Sequence, residues 1–138
     1  MGFMSRYLLD THIFIWLFYK QKMLSRQIIE ELEDYNNTLY ISRISLMEIA
    51  IKNRNGNLIL KDDYAFVIQD IYKRLGIRVL EIDNRHLITL NQLTVPKEHR
   101  DPFDHLIISQ AITDRMCLIS ADTKMKYYTK QGLNLLVN

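Results

Sequence analysis

Residues 99–120 read HRDPFDHLIISQAITDRMCLIS. The stretch opens on a helix-start signature, because Asp is a favoured N-cap and Pro is favoured at the first helical position. Ile107, Ile108 and Ala111 then fall on one helical face, which predicts a helix over 102–115 packed against a core. The run CLIS at 117–120 reads as a short buried strand. Asp104 breaks the pattern, because it continues the apolar face. It has one ordinary explanation, as the acid of a capping box with Asp101. A carboxylate in a stripe meant for burial otherwise needs a partner, since unpaired buried charge is very costly.

The same alternation extends in both directions. Strands are predicted at 6–9 (RYLL), 38–41 (TLYI), 77–82 (IRVLEI), 117–120 and 133–137 (LNLLV). Helical spacing predicts helices over 12–19, 25–34, 43–54, 63–75, 84–93, 102–115 and 123–129. Ser25 and Asp62 read as N-caps, and Gly56 and Gly76 stand where helices should stop. No repeat, low-complexity tract or long linker interrupts the series. Strands alternating with helices predict an α/β domain spanning 1–138, with a central, mainly parallel sheet of about five strands covered on both faces.

Composition fits a globular domain, with 48% hydrophobic and 25% charged residues among 138. A net charge of +2 does not mark a general polyanion binder, although it leaves room for a local basic rim. Cys117 is the only cysteine, so no disulfide forms within the chain, and a reduced thiol in the cytoplasm is expected. The apolar run Ile13–Phe18 imitates a leader peptide, but Asp10 and His12 precede it and Lys20 and Lys22 follow it. No segment reaches membrane-spanning length. Phe14, Trp16, Leu17 and Phe18 read as core or dimer contacts rather than a base-stacking platform.

The predicted architecture makes a statement about acids. Ligands of parallel sheets bind beyond the carboxyl ends of the strands, where the following helices begin. Asp10 ends the first strand, Asp122 follows the fourth, and Asp104 lies in the first turn of its helix. Glu48 falls within the face defined by Ile44, Met47 and Ile51, inside the helix after the second strand. Singly, Asp10 reads as a turn residue, and Asp122 and Asp104 read as caps or ligands. Glu48 has no cap or turn to explain it. Thr11 and Ser120 supply neighbouring hydroxyls. Four carboxylates converging on one edge repel one another and take up protons unless a cation intervenes. Mg²⁺ or Mn²⁺, with their preference for hard oxygen ligands, meet that need and suit phosphodiester hydrolysis. No cysteine–histidine spacing points to zinc, and no Walker-type glycine loop is present. Arg43, Lys52, Arg100 and Lys124 lie near the same edge as candidate contacts to a phosphodiester backbone, against an ordinary solvated role for each. His12, His99 and His105 read as solvated or packing residues rather than ligands.

At these residues the chain resembles the PIN-domain ribonucleases, specifically the VapC-like toxins of bacterial toxin–antitoxin pairs. The matching stretches are YLLDTHIFIW (7–16), SLMEIAIKNRNGNLIL (45–60), HRDPFDHLIISQA (99–111) and LISADTKMKYY (118–128). The resemblance implies a three-layer α/β/α fold and a Mg²⁺- or Mn²⁺-dependent endoribonuclease site. The family's acids fall on Asp10, Glu48, Asp104 and Asp122, as catalytic and metal-binding residues. It further implies a homodimer in the cytoplasm, inhibited by a cognate antitoxin through which alone DNA is bound. In the family the residue after DPFD is often arginine, and here it is His105. Three alternatives stand beside this reading. One is a catalytically silent PIN-like scaffold. Another is an Asp-based, Mg-dependent phosphoryl-transfer enzyme, which wants a second Asp where His12 stands. The third is a receiver-like signalling domain, in which Glu48 has no role.

Overall fold

The computed structural model describes residues 5–138. Five short strands form one all-parallel sheet: β1 (Arg6–Leu9), β2 (Thr38–Ser42), β3 (Ile77–Leu80), β4 (Cys117–Ser120) and β5 (Asn134–Val137). Their spatial order is β3-β2-β1-β4-β5. The chain steps outward from β1 to β3 and then returns to build β4 and β5 on the other side. The reversal leaves a crevice between the carboxyl ends of β1 and β4, the place where such sheets bind ligands.

Six α-helices connect the described strands: α1 (Thr11–Tyr19), α2 (Arg26–Glu33), α3 (Arg43–Arg54), α4 (Tyr64–Leu75), α5 (Asn84–Gln92) and α6 (Pro102–Asp114). Alternate strand residues feed two cores. Tyr7, Leu9, Ile41 and Ile119 pack with Ile13, Phe14, Ile28 and Ile71 on one face. Leu8 and Leu118 pack with Ile107, Ile108, Ala111 and Tyr128 on the other. Both faces are covered by helices, so the architecture is three-layered, as expected of strands apolar on both sides.

Local departures from the sequence reading have physical causes. Residues 123–131 form a 3₁₀ helix rather than the α-helix expected over 123–129. Its buried side chains, Met125 and Tyr128, are three residues apart, and a three-residue turn stacks i over i+3. A second 3₁₀ turn, Gln21–Met23, lies where no element was expected. The N-cap position of α4 falls on Asp63, whose side chain makes no capping bond, while the Asp62 carboxylate lies against the Tyr19 hydroxyl and Arg74. Strand β3 stops at Leu80, two residues early. Ser25 does cap α2, accepting from Ile28 N, and Gly76 ends α4 with φ 66°, a left-handed conformation that glycine adopts without strain.

Asp101 caps α6, its carboxylate accepting from Phe103 N at 2.9 Å, with Pro102 at the first helical position. Replacing it by Ala or by Asn removes the same charge, but only Asn keeps the cap. Asp101→Ala is therefore expected to be about 1 kcal/mol less stable than Asp101→Asn in urea unfolding. Equal stabilities for the two variants would show that the cap contributes nothing.

Candidate active site

Asp10 leaves β1 with its backbone N–H on the carbonyl of Ile119, which pins it to the end of β4. Its side chain caps α1: Oδ1 accepts from Thr11 N at 2.7 Å and Oδ2 accepts from the Ser120 hydroxyl at 2.7 Å. The same Ser120 oxygen accepts from the backbone N–H of Asp122 at 3.0 Å. One hydroxyl thus joins the acids that follow the two central strands. Asp122 itself caps the 3₁₀ helix through Lys124 N.

Glu48 enters from α3 and is only 5% exposed. The helix buries Ile44, Ser45, Leu46, Glu48 and Ile49, while Met47, expected on the same face, is 44% exposed. Ser45 explains the rotation, because it sits within 2.8 Å of the Thr11 hydroxyl and lets α3 close onto α1 on its small, polar side. Thr11 gives its proton to Glu48 Oε1 at 2.8 Å, and the Lys52 ammonium lies 2.9 Å from Oε2.

Asp104 does not form the capping box that its spacing allows. Its Oδ2 lies 2.9 Å from Nε2 of His99, whose Nδ1 lies 2.6 Å from the Tyr128 hydroxyl. The consistent proton assignment runs from Tyr128 O–H to Nδ1 and from Nε2–H to the carboxylate. Burial raises the Tyr128 hydroxyl to about 12, so it keeps the proton that it donates. His99 is held in turn by its own backbone, the carbonyl of which accepts from His105 Nε2 at 2.7 Å.

Asp10, Glu48, Asp101, Asp104 and Asp122 all line one pocket of about 110 Å³, with Thr11, His12, Lys52 and Ala121. The four acids singled out in the sequence are brought together, and Asp101 joins them while serving as a cap. The electrostatic consequence is visible in Asp10 and Asp104. Desolvation raises the pKa of Asp10, opposed by its bonds to Ser120 and Thr11 N and reinforced by the charge of Glu48. Desolvation also lifts Asp104 to about 6, against the His99 bond and with the charges of Asp10 and Asp101 adding to the rise. These are carboxylates short of positive charge.

Of the candidate backbone contacts, only Lys52 lines the pocket. Arg43 is held in a two-pronged pair with Glu81, and Arg100 donates to the carbonyl of Lys97. Lys124 is exposed, with its backbone N–H on Asp122. His99, expected in a solvated or packing role, is 3% exposed and bonded to Asp104. Its place five residues before Asp104 in HRDPFD was the available signal. Tyr128 had none, because its contact with His99 spans 29 residues.

The donor set fits a hard divalent cation. Carboxylate oxygens dominate, and Lys52 is the only lysine or arginine among the lining residues. Ligand atoms of His99, Asp104 and Asp122 lie within 4.8 Å of one another. Both nitrogens of His99 are already committed, so the carboxylates are the available ligands. Among the described residues no helix is long and apolar enough to cross a membrane.

Comparison with known proteins agrees with this construction. None of the curated proteins matches the chain. Among solved structures, a chain of VapBC from Salmonella typhimurium, determined bound to DNA, aligns at 19% identity and a TM-score of 0.70 over 97% of this chain and 98% of that one. A chain of VapBC2 from Rickettsia felis, bound to a DNA fragment from their promoter, gives 20% identity and 0.69 over 96% and 98%. One from VapBC-5 of Mycobacterium tuberculosis, described as a toxin–antitoxin system, gives 13% and 0.62 over 97% and 99%. The PIN domain family model matches residues 7–131, spanning every acid of the pocket, and the chain belongs to the PIN domain family.

Proposed function

We propose that this protein is a Mg²⁺- or Mn²⁺-dependent endoribonuclease, the toxin of a toxin–antitoxin pair. The observation that carries the reading is the convergence of five carboxylates on one small pocket at the crevice of a parallel sheet. A divalent ion bound there supplies Lewis acidity and a water of lowered pKa. Asp10, Glu48, Asp104 and Asp122 are the residues that hold it. Ser120 and Thr11 orient the Asp10 and Glu48 carboxylates, and His99 orients Asp104. Lys52 offsets Glu48 charge in the metal-free protein and adds positive charge beside a seated phosphate. The fold is shared with chains from VapBC complexes, some determined with DNA, which supports an antitoxin partner that covers the site and carries any DNA binding. Assembly as a cytoplasmic homodimer belongs to the same reading. A phosphoryl-transfer or receiver-like role is disfavoured, since His12 occupies the position for a second Asp and Glu48 is built into the pocket.

Cleavage of RNA is expected with Mg²⁺ or Mn²⁺ and should cease in EDTA; undiminished cleavage after exhaustive chelation overturns the metal assignment. Added Mn²⁺ should also raise the melting temperature of metal-free protein, because a ligand bound to the native state stabilises it by RT ln(1 + [L]/Kd).

Asp104 separates ligand from cap. Asp104→Asn should lower cleavage roughly 100-fold or more, at or beyond the cost of losing an outer partner of a metal site. Asp101→Asn, which keeps its cap, should retain much of the activity. The chelated protein adds a pH signature. Native Asp104 holds its proton to about 6, while the unfolded side chain releases it near 3.8. Between those values the native state binds more protons, so this carboxyl's contribution to stability is present below the lower value and is lost as pH rises through the upper one. The melting-temperature advantage of Asp104→Asn over wild type should therefore grow from about pH 4 to about pH 7, reaching roughly 5 °C. An advantage that shrinks over that range, or an active Asp104→Asn, reverses the assignment.

A further inference from the structure

Beside the acid pocket lies a second, larger depression of about 280 Å³, and Thr11, His12 and Lys52 line both. Its lining divides by chemistry. His12, Trp16 and Tyr19 project from one side of α1, with the His12 and Trp16 rings 5.9 Å apart and tilted. Lys20, Lys52 and Lys61 contribute ammonium groups, and Asn57 an amide. Ile15, Ile49 and Leu58 add apolar surface, and no Asp or Glu lines the depression. The volume lies just below the range of about 300–1,000 Å³ typical of small-molecule sites, which suits a single nucleoside.

We propose that this groove is the seat of the nucleotide next to the scissile phosphate, with its base stacked on Trp16 and its phosphates held by Lys20 and Lys61. The proposal rests on the ribonuclease reading of the acid pocket and adds the sub-site that grips single-stranded RNA. Three observations carry it. The shared lining residues put a strand that occupies the acid pocket directly over the groove. The charge is complementary to a polyanion and opposite to that of the neighbouring acids. Aromatic faces interleaved with cations are the combination by which single strands are bound, since every base offers a π-face and every nucleotide a phosphate. The aromatic run of α1 divides accordingly: Phe14 and Phe18 are buried in the core, whereas Trp16, packed against the same core, is half-buried and also lines the groove. An acidic peptide would satisfy the lysines but has no need of the acid pocket.

Trp16 is the only tryptophan, so fluorescence excited beyond the tyrosine absorption band reports on this groove alone. The whole protein in EDTA is titrated with random-sequence single-stranded RNA of about 12 nucleotides, within the site sizes known for single-strand binders. Polyglutamate serves as the acidic-peptide probe. RNA should quench Trp16 and polyglutamate should not. Both Trp16 variants lack the fluorophore, so they are compared by titrating end-labelled RNA: Trp16→Ala should weaken binding roughly tenfold, with Trp16→Phe restoring most of it. In Mn²⁺ the same change should raise KM while kcat is largely kept. Should Trp16→Ala fail to fold, Lys20→Gln with Lys61→Gln, both at exposed positions, should lower affinity and reduce the slope of log K against log salt by about 0.7 per lysine. Quenching by RNA without cleavage in any metal supports the groove while overturning the nuclease reading. Cleavage with unchanged KM in all variants and no quenching overturns the groove and leaves the nuclease reading intact. Quenching by polyglutamate but not by RNA overturns it in favour of a protein-docking surface.

Discussion

Carboxylates confined to one small space repel one another, and much of this structure serves to hold them there. Asp10 and Glu48 are almost wholly buried, yet each has both oxygens bonded: Asp10 by Thr11 N and Ser120, Glu48 by Thr11 and Lys52. Asp104 is fixed by a chain of hydrogen bonds through His99 to Tyr128. Hydrogen bonds to ionised groups are among the stronger ones, and here they fix direction as well as energy. Burial raises the pKa values of Asp10 and Asp104, and the charges of the neighbouring acids add to the rise. A site of this kind is unfavourable for the bare chain and persists because two packed cores, one on each face of the sheet, over-determine the backbone that carries it.

The sheet order makes the convergence possible. Parallel strands with helical crossovers bring every strand-to-helix junction to one edge, and the reversal between β1 and β4 opens a gap there. Asp10 and Asp122 follow the two strands that flank the gap, and one serine hydroxyl couples them. Glu48 reaches it from the second turn of α3, and Asp104 from the first turn of α6. Their sequence positions are scattered over more than a hundred residues, but the junctions that carry them are neighbours.

Period and punctuation in the sequence made most of this legible. The strand and helix alternation, the Asp101–Pro102 start and the acids at junctions all follow from local chemistry. What escaped depended on contacts between distant residues. Counting apolar positions on α3 put Met47 in the buried face, because the count ignored Ser45, whose small polar side chain lets α1 approach. Nothing local shows that α4 starts without a side-chain cap, with Asp62 turned to Tyr19 and Arg74 and Asp63 making no capping bond. Tyr128 reads as one aromatic among eight tyrosines until the fold sets it against His99. An apolar run such as Ile13–Phe18 reports burial in general but not which of its members faces a groove.

The net charge of +2 conceals a sharp local division, with acids in one pocket and lysines in the next. On the proposed reading the division has a thermodynamic consequence. A polyanion held by the groove lysines meets repulsion from the metal-free acids beside it. A divalent ion would offset part of the pocket's negative charge while leaving that of the groove unchanged, so a strand held by the groove is repelled less. Binding free energies are reciprocal. Whatever the ion adds to the affinity for RNA, the RNA must add to the affinity for the ion. Lys52, shared by both depressions and paired with Glu48, stands where that coupling passes from one to the other.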